Sequence, residues 1–136
     1  MNKQQMIRQM YSDMHYSIME NYPKTDPNFF DWTSIMSVAE KFVWSEIRSI
    51  GLPMFPQFPV LGYFVDFADP VKKIAIEVDG REFHKDYAKD NKRQREIESG
   101  GWTFYRIEGW EVQPVDDGEE DPLRRFLKRI KDTHYQ

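Results

Sequence analysis

Hydrophobic residues recur along this 136-residue chain with two different periods, and the changes of period divide it into elements. Between residues 4 and 20, Met6, Met10 and Met14, with Ile7, Tyr11 and Ile18, recur at spacings that predict an amphipathic helix. Its methionine-rich side suits packing on a core or on a second subunit. The stretch Asn21-Tyr22-Pro23-Lys24-Thr25-Asp26-Pro27-Asn28 punctuates a loop. A second helix is predicted from Thr33 to Ile50, with Ile35, Val38, Ala39, Phe42, Val43 and Ile50 as its apolar side and Gly51 as its stop. Glu46 falls on or beside that apolar stripe, where a carboxylate requires a partner, a proton or a metal.

The period then shortens to two. Pro53, Pro56 and Pro59 restrict Leu52–Leu61 to an irregular or edge-strand segment, because proline removes a ladder donor. Gly62 to Ala68 reads as a strand, Asp69-Pro70 as a turn, and Lys72 to Asp79 as a second strand, so the two form an antiparallel pair. Within the second, Ile74, Ile76 and Val78 share one face and Ala75, Glu77 and Asp79 the other. A charged helix is expected over Lys85 to Ser99, ended by Gly100-Gly101, and a strand over Trp102 to Ile107. A helix between two strands calls for a parallel crossover. After an acidic loop, Asp116-Asp117-Gly118-Glu119-Glu120, Asp121-Pro122 opens a last helix with Leu123, Phe126, Leu127 and Ile130 as its stripe.

Composition narrows the classes. With 40% hydrophobic residues the chain suits one compact domain, and the absence of cysteine excludes disulfides, thiolate metal sites and cysteine nucleophiles. No apolar run approaches the roughly 20 residues of a spanning helix, and the first residues lack the apolar stretch of a secretory signal. A soluble, cytoplasmic protein with no membrane partner is expected. The 19 basic against 23 acidic side chains leave a net charge of −4, the wrong sign for coating nucleic acid by bulk charge. Most charges of both signs crowd into residues 72–136, which favours specific sites over a uniform field.

Three carboxylates stand where strands usually carry carbon. Asp66 is flanked by Phe64, Val65, Phe67 and Ala68, while Glu77 and Asp79 share one face of an otherwise aliphatic strand. Each has a structural alternative: Asp66 as a turn cap, Glu77 paired with Lys72 or Lys73, Asp79-Gly80 as a turn signal. Gathered at one end of a hairpin, they repel one another unless a proton or a hard cation intervenes, and oxygen-only ligands favour Mg2+ or Mn2+. Arg106, mid-strand between Tyr105 and Ile107, needs a counter-charge, for which a carboxylate of this group is a natural source.

The order of these residues resembles the PD-(D/E)XK nuclease superfamily, and within it the small bacterial proteins similar to the very-short-patch repair (Vsr) endonuclease. The likeness runs over about residues 41 to 110. It is carried by Tyr63-Phe-Val-Asp66-Phe-Ala-Asp-Pro, Lys73-Ile-Ala-Ile-Glu77-Val-Asp79-Gly80, Phe83-His84, Asp90, Arg93 and Gly100-Gly-Trp102-Thr-Phe-Tyr-Arg106-Ile107. The resemblance implies a restriction-endonuclease-like α/β fold: a central mixed four-stranded sheet flanked by helices, with an extra N-terminal helix. The chain then reads as a single domain, with residues 1–30 as arm and loop, 31–112 as nuclease-like core, and 113–136 as acidic loop and C-terminal helix.

It also implies divalent-metal-dependent hydrolysis of phosphodiester bonds, in DNA rather than RNA. By position, Asp66 matches the strand aspartate, Glu77 the second acid, and Asp79 the place usually held by lysine. These three form the expected Mg2+ or Mn2+ site. Glu46 matches an acid on the first helix that some members add to it, His84 a histidine just after the sheet, and Gln57 a glutamine ahead of the strand aspartate. Without the lysine, His84 or Lys85 would supply a proton donor or a positive charge near the phosphate. Lys85, Lys89, Lys92, Arg93 and Arg106 are the expected phosphate contacts. A homodimer through the methionine-rich helix is the expected assembly. The alternative is a catalytically inactive nucleic-acid- or protein-binding member of the same fold. Bound divalent ions would also offset the net −4, so nucleic-acid binding is expected to depend strongly on the metal.

Overall fold

In the computed structural model the described residues are 36–79, 87–108 and 121–135, together with single positions among 2–17 and residue 33. Helix α1 spans Val38–Ile50. It begins five residues later than the apolar periodicity predicts, because Ser37 caps it: its side chain accepts the Glu40 N–H. Gly51 ends it at φ 77°, a left-handed conformation that a side chain disfavours. Four strands follow the expected order, β1 Phe55–Val60, β2 Tyr63–Asp69, β3 Ile74–Asp79 and, after helix α2 (Tyr87–Ser99), β4 Thr103–Glu108. Helix α3, Pro122–His134, is capped by Asp121 through the Leu123 N–H.

The strands form one mixed sheet in the order β1-β2-β3-β4, antiparallel up to β3 and parallel between β3 and β4. Proline-bearing β1 is an edge, as the missing donors of Pro56 and Pro59 require. One face packs against α1 and α3: Val43, Trp44 and Ile47 with Leu123, Leu127 and Ile130 close over Phe67, Ile74, Ile76 and Ile107. Trp44 stacks on Phe67 with ring centroids 5.9 Å apart. The other face gathers Phe55, Phe58, Val65, Ala68 and Ala75 around Ile97 of α2, with Trp102 packed at its margin. The fold is therefore the α/β, restriction-endonuclease-like architecture of a mixed four-stranded sheet flanked by helices. None of the described helices is long and apolar enough to cross a membrane.

The hairpin end of the sheet is tightly closed. Asp69, buried, accepts the Val71 and Lys72 N–H groups across the turn and the Tyr135 hydroxyl from the end of α3. The turn cap is thus Asp69 rather than Asp66. At the opposite end the β2–β3 ladder stops at the Phe67↔Ile76 pair. Extending that register sets Asp66 across from Glu77, and the Asp66 side chain takes up the Val78 N–H at 2.7 Å in place of a backbone carbonyl.

Candidate active site

A cavity of about 300 Å³ opens where β2 and β3 part, between the start of α1 and the inner side of α2. Its charged lining comprises Glu40, Asp66, Glu77, Asp79 and Asp90 against Arg93 and Arg106, an excess of acid. Two arginines take up part of it. Arg93 donates to Glu77 and, at 2.6 Å, to the Phe64 carbonyl. Arg106 sits beside Glu77 in the parallel register but reaches Asp79, at 3.1 Å to each carboxylate oxygen. Its Nε donates to Gln94 at 2.8 Å.

Asp66 has no such salt bridge among the described residues. Burial, the adjacent Glu77 charge and a hydrogen bond shared with Glu77 push its carboxyl well above the usual carboxylate range, and the Val78 N–H and Arg93 offset this only in part. Two carboxyl groups set against one another in an oxygen-lined cavity are a donor set into which a hard cation fits. Asp66 and Glu77 would hold it, with water filling the remaining positions as Mg2+ prefers. Among the described residues no three His, Asp or Glu side chains converge as a ready cluster, because Asp79 is turned toward Arg106.

Gln57 ties the first helix to this pair. Its amide donates to Glu40 at 3.1 Å and to Asp66 at 3.3 Å, and its backbone adopts φ 52° within β1. That left-handed conformation costs a side-chain-bearing residue about 1–3 kcal/mol, and here it accompanies a buried amide bridging two acids.

Several expected site residues are placed differently. Glu46 does not line the cavity: it binds Arg124 of α3, at 2.9 Å to Nε. The helix acid that does is Glu40, six positions earlier and so on another side of the helix. Glu77 pairs with Arg93 rather than with Lys72 or Lys73. Arg93 is not an outward phosphate contact, because Asp90, Arg93, Gln94 and Ile97 form the inward stripe of α2. Lys89 and Lys92 do face outward, Lys92 beside Glu96 at 3.8 Å. His84, Lys85, Trp110, the 116–120 loop and most of the N-terminal helix lie outside the described residues, although Met6 and Met10 are described and exposed.

With this geometry, similarity to known proteins becomes informative. The family model REase_MTES_1575 matches residues 40–127, which include every lining acid of the cavity. The chain belongs to this restriction-endonuclease-like family. Membership places it among the PD-(D/E)XK-like nucleases. The chain is similar to the uncharacterized protein YcjD of Escherichia coli (strain K12), 30% identical over 110 residues, covering 79% of this chain and 92% of that one. An uncharacterized protein of Haemophilus influenzae is 32% identical over 98 residues, covering 68% and 81%. Among solved structures, the catalytic domain of the homing endonuclease I-Bth0305I superposes with a TM-score of 0.60 at 24% identity, over 74% of this chain and 100% of that domain. The last likeness shows a shared fold.

Of the residues at the cavity, Glu40 carried no sequence signal beyond its place three residues after a capping serine. The inward turn of Arg93 and Gln94 had one. Asp90, Arg93 and Gln94 stand at helical spacing from Ile97, the aliphatic anchor near the end of that segment.

Proposed function

We propose that the protein is a divalent-metal-dependent endonuclease that hydrolyses phosphodiester bonds in DNA, with Asp66 and Glu77 as the ligands of Mg2+ or Mn2+. The observation that carries this is the Asp66–Glu77 carboxyl pair, set side by side in an acid-lined cavity with Asp66 held by the Val78 N–H and Gln57. When bound, the ion supplies an activated water and offsets the charge developing on the phosphoryl oxygens. The chain's own residues do the remainder. Gln57 and the Val78 N–H orient Asp66, Arg93 orients Glu77, and Glu40 adds a further acceptor beside them. In this reading His84 supplies the proton donor, and Lys85, Lys89, Lys92 and Arg106 meet the phosphates. Exposed Met6 and Met10 support pairing of two copies through the N-terminal helix.

A second reading has a specific support. The Glu77–Arg93 and Asp79–Arg106 pairs neutralise two of the acids internally, as in a nucleic-acid-binding module that has lost hydrolysis. An assay of single-stranded, double-stranded, mismatched and branched DNA with Mg2+ or Mn2+ separates the two. Cleavage is expected to fall by about 10³-fold in Asp66→Ala and Glu77→Gln with the fold retained by circular dichroism. DNA binding with no cleavage under either metal would establish the silent module instead.

A further inference from the structure

Asp79 and Arg106 form the best-defined polar unit of the cavity, and its donor accounting is uneven. One terminal guanidinium nitrogen of Arg106, Nη1, is spent on both oxygens of Asp79, and Nε is spent on Gln94. The Phe104 ring lies 5.3 Å from the guanidinium carbon. Carboxylate, amide and ring together fix the guanidinium plane, whereas the second terminal nitrogen, Nη2, has no partner among the described residues. Arginine is always charged and presents its donors as a rigid fork, so a fixed plane with an unspent end is a preformed donor to one oxygen of an anion. The anion that enters this cavity in the nuclease reading is a phosphodiester.

Asp79 is correspondingly unsuited to the metal. Its two oxygens share one guanidinium nitrogen, and its side chain is 15% exposed. It stands two positions along β3 from Glu77, whose carboxylate joins Asp66. The strand therefore presents two acids in separate surroundings, Glu77 beside Asp66 and Arg93, and Asp79 gripping Arg106.

We propose that Asp79 is a positioning residue that holds Arg106 so that its free Nη2 binds a phosphate oxygen of the substrate, and that Asp79 is not a metal ligand. This rests on the nuclease reading above and deepens it. Asp79 acts entirely through Arg106, which distinguishes it from Asp66 and Glu77.

Two titrations that need no turnover test this. Mn2+ binding is followed by electron paramagnetic resonance, and binding of a short fluorescent DNA duplex by anisotropy, each on the full chain. Arg106→Gln is expected to weaken duplex binding about tenfold through loss of a charge-assisted bond. Asp79→Asn is expected to weaken it by a similar or smaller factor, and the double variant to bind no worse than Arg106→Gln alone, the sign of a residue acting through its partner. Mn2+ affinity should stay within twofold of wild type in Asp79→Asn and fall more than tenfold in Asp66→Ala. Should Asp79→Asn alone prove poorly folded, the double variant, which leaves no unpaired buried charge, still reads both Mn2+ affinity and duplex binding. Loss of Mn2+ affinity in Asp79→Asn, or additive losses of duplex binding in the double variant, would overturn the proposal. Duplex binding unchanged in Arg106→Gln would also overturn it while leaving the nuclease reading intact. A wild-type chain that binds neither Mn2+ nor duplex would remove that reading and this one with it.

Discussion

Strand β2 carries two aspartates three residues apart, and the sheet uses them in opposite ways. Asp69 is buried and receives the Val71 and Lys72 N–H groups and the Tyr135 hydroxyl, with no other acid beside it in the turn. Asp66 also receives a backbone N–H and a side-chain amide, but Glu77 stands against it and a cavity opens before it. Both are hydrogen-bonded, so satisfaction alone does not separate them. A like charge within contact does. Asp69 completes a fold, whereas Asp66 is left with a repulsion that the native chain itself does not remove, and that residual cost is what a bound cation would relieve.

The sharpest way to break this comparison is to neutralise Asp66 without changing its shape. Asp66→Asn should abolish cleavage and yet stabilise the chain. The sign follows from linkage: a carboxyl held above its ordinary value of 3.8 keeps its proton longer in the native state than in the unfolded one. Native stability therefore declines as pH rises from that ordinary value through the raised folded one, and the penalty is fully present above it. The thermal midpoint of Asp66→Asn should match wild type in acid and exceed it at neutral pH, and Mg2+ should raise the midpoint of wild type alone. Parallel pH profiles for the two proteins would show that Asp66 carries no such strain.

At the other end of the strand the opposite outcome is expected. Asp69→Ala strands two backbone donors and removes the acceptor of the Tyr135 hydroxyl, at a cost of about 2 kcal/mol in urea unfolding, with cleavage per folded molecule unchanged. A loss of cleavage without a loss of stability would reverse the roles assigned to the two aspartates. The smallest effect belongs to Glu46, which holds α1 to α3 through half-exposed Arg124. Glu46→Ala should lower the thermal midpoint slightly and leave Mn2+ affinity and cleavage at wild-type levels; a drop in either would return it to the cavity.

Much of this was readable one element at a time. The hairpin followed from two short alternating runs around Asp69-Pro70, and the parallel partner from the helix between β3 and β4. The opposition of Asp66 and Glu77 did not follow, because it depends on the register, and the ladder pairs Asp69, expected in the turn, with Ile74. The rotation of α1 was not readable. Glu40 and Glu46 lie on one amphipathic stretch, and only the docking of Val43, Trp44 and Ile47 on the sheet decides which acid turns toward the cavity. Helix α2 shows the same limit more strongly. It is polar nearly all round, so its charges read as a solvated face, and among its described side chains Ile97 is the one buried apolar group that turns Arg93 and Gln94 inward.

The sequence by itself determined the order of helices and strands and the concentration of acids at one end of a hairpin, because backbone periodicity and proline or glycine punctuation act locally. Tertiary structure alone decided the partners of those acids. Asp79 took Arg106, Glu77 took Arg93, Glu46 took Arg124, and Asp66 was left facing Glu77. The physical reason is reach. A charged side chain selects among counter-charges within a few ångströms, and those come from segments up to 78 residues away in the chain, as Glu46 and Arg124 are.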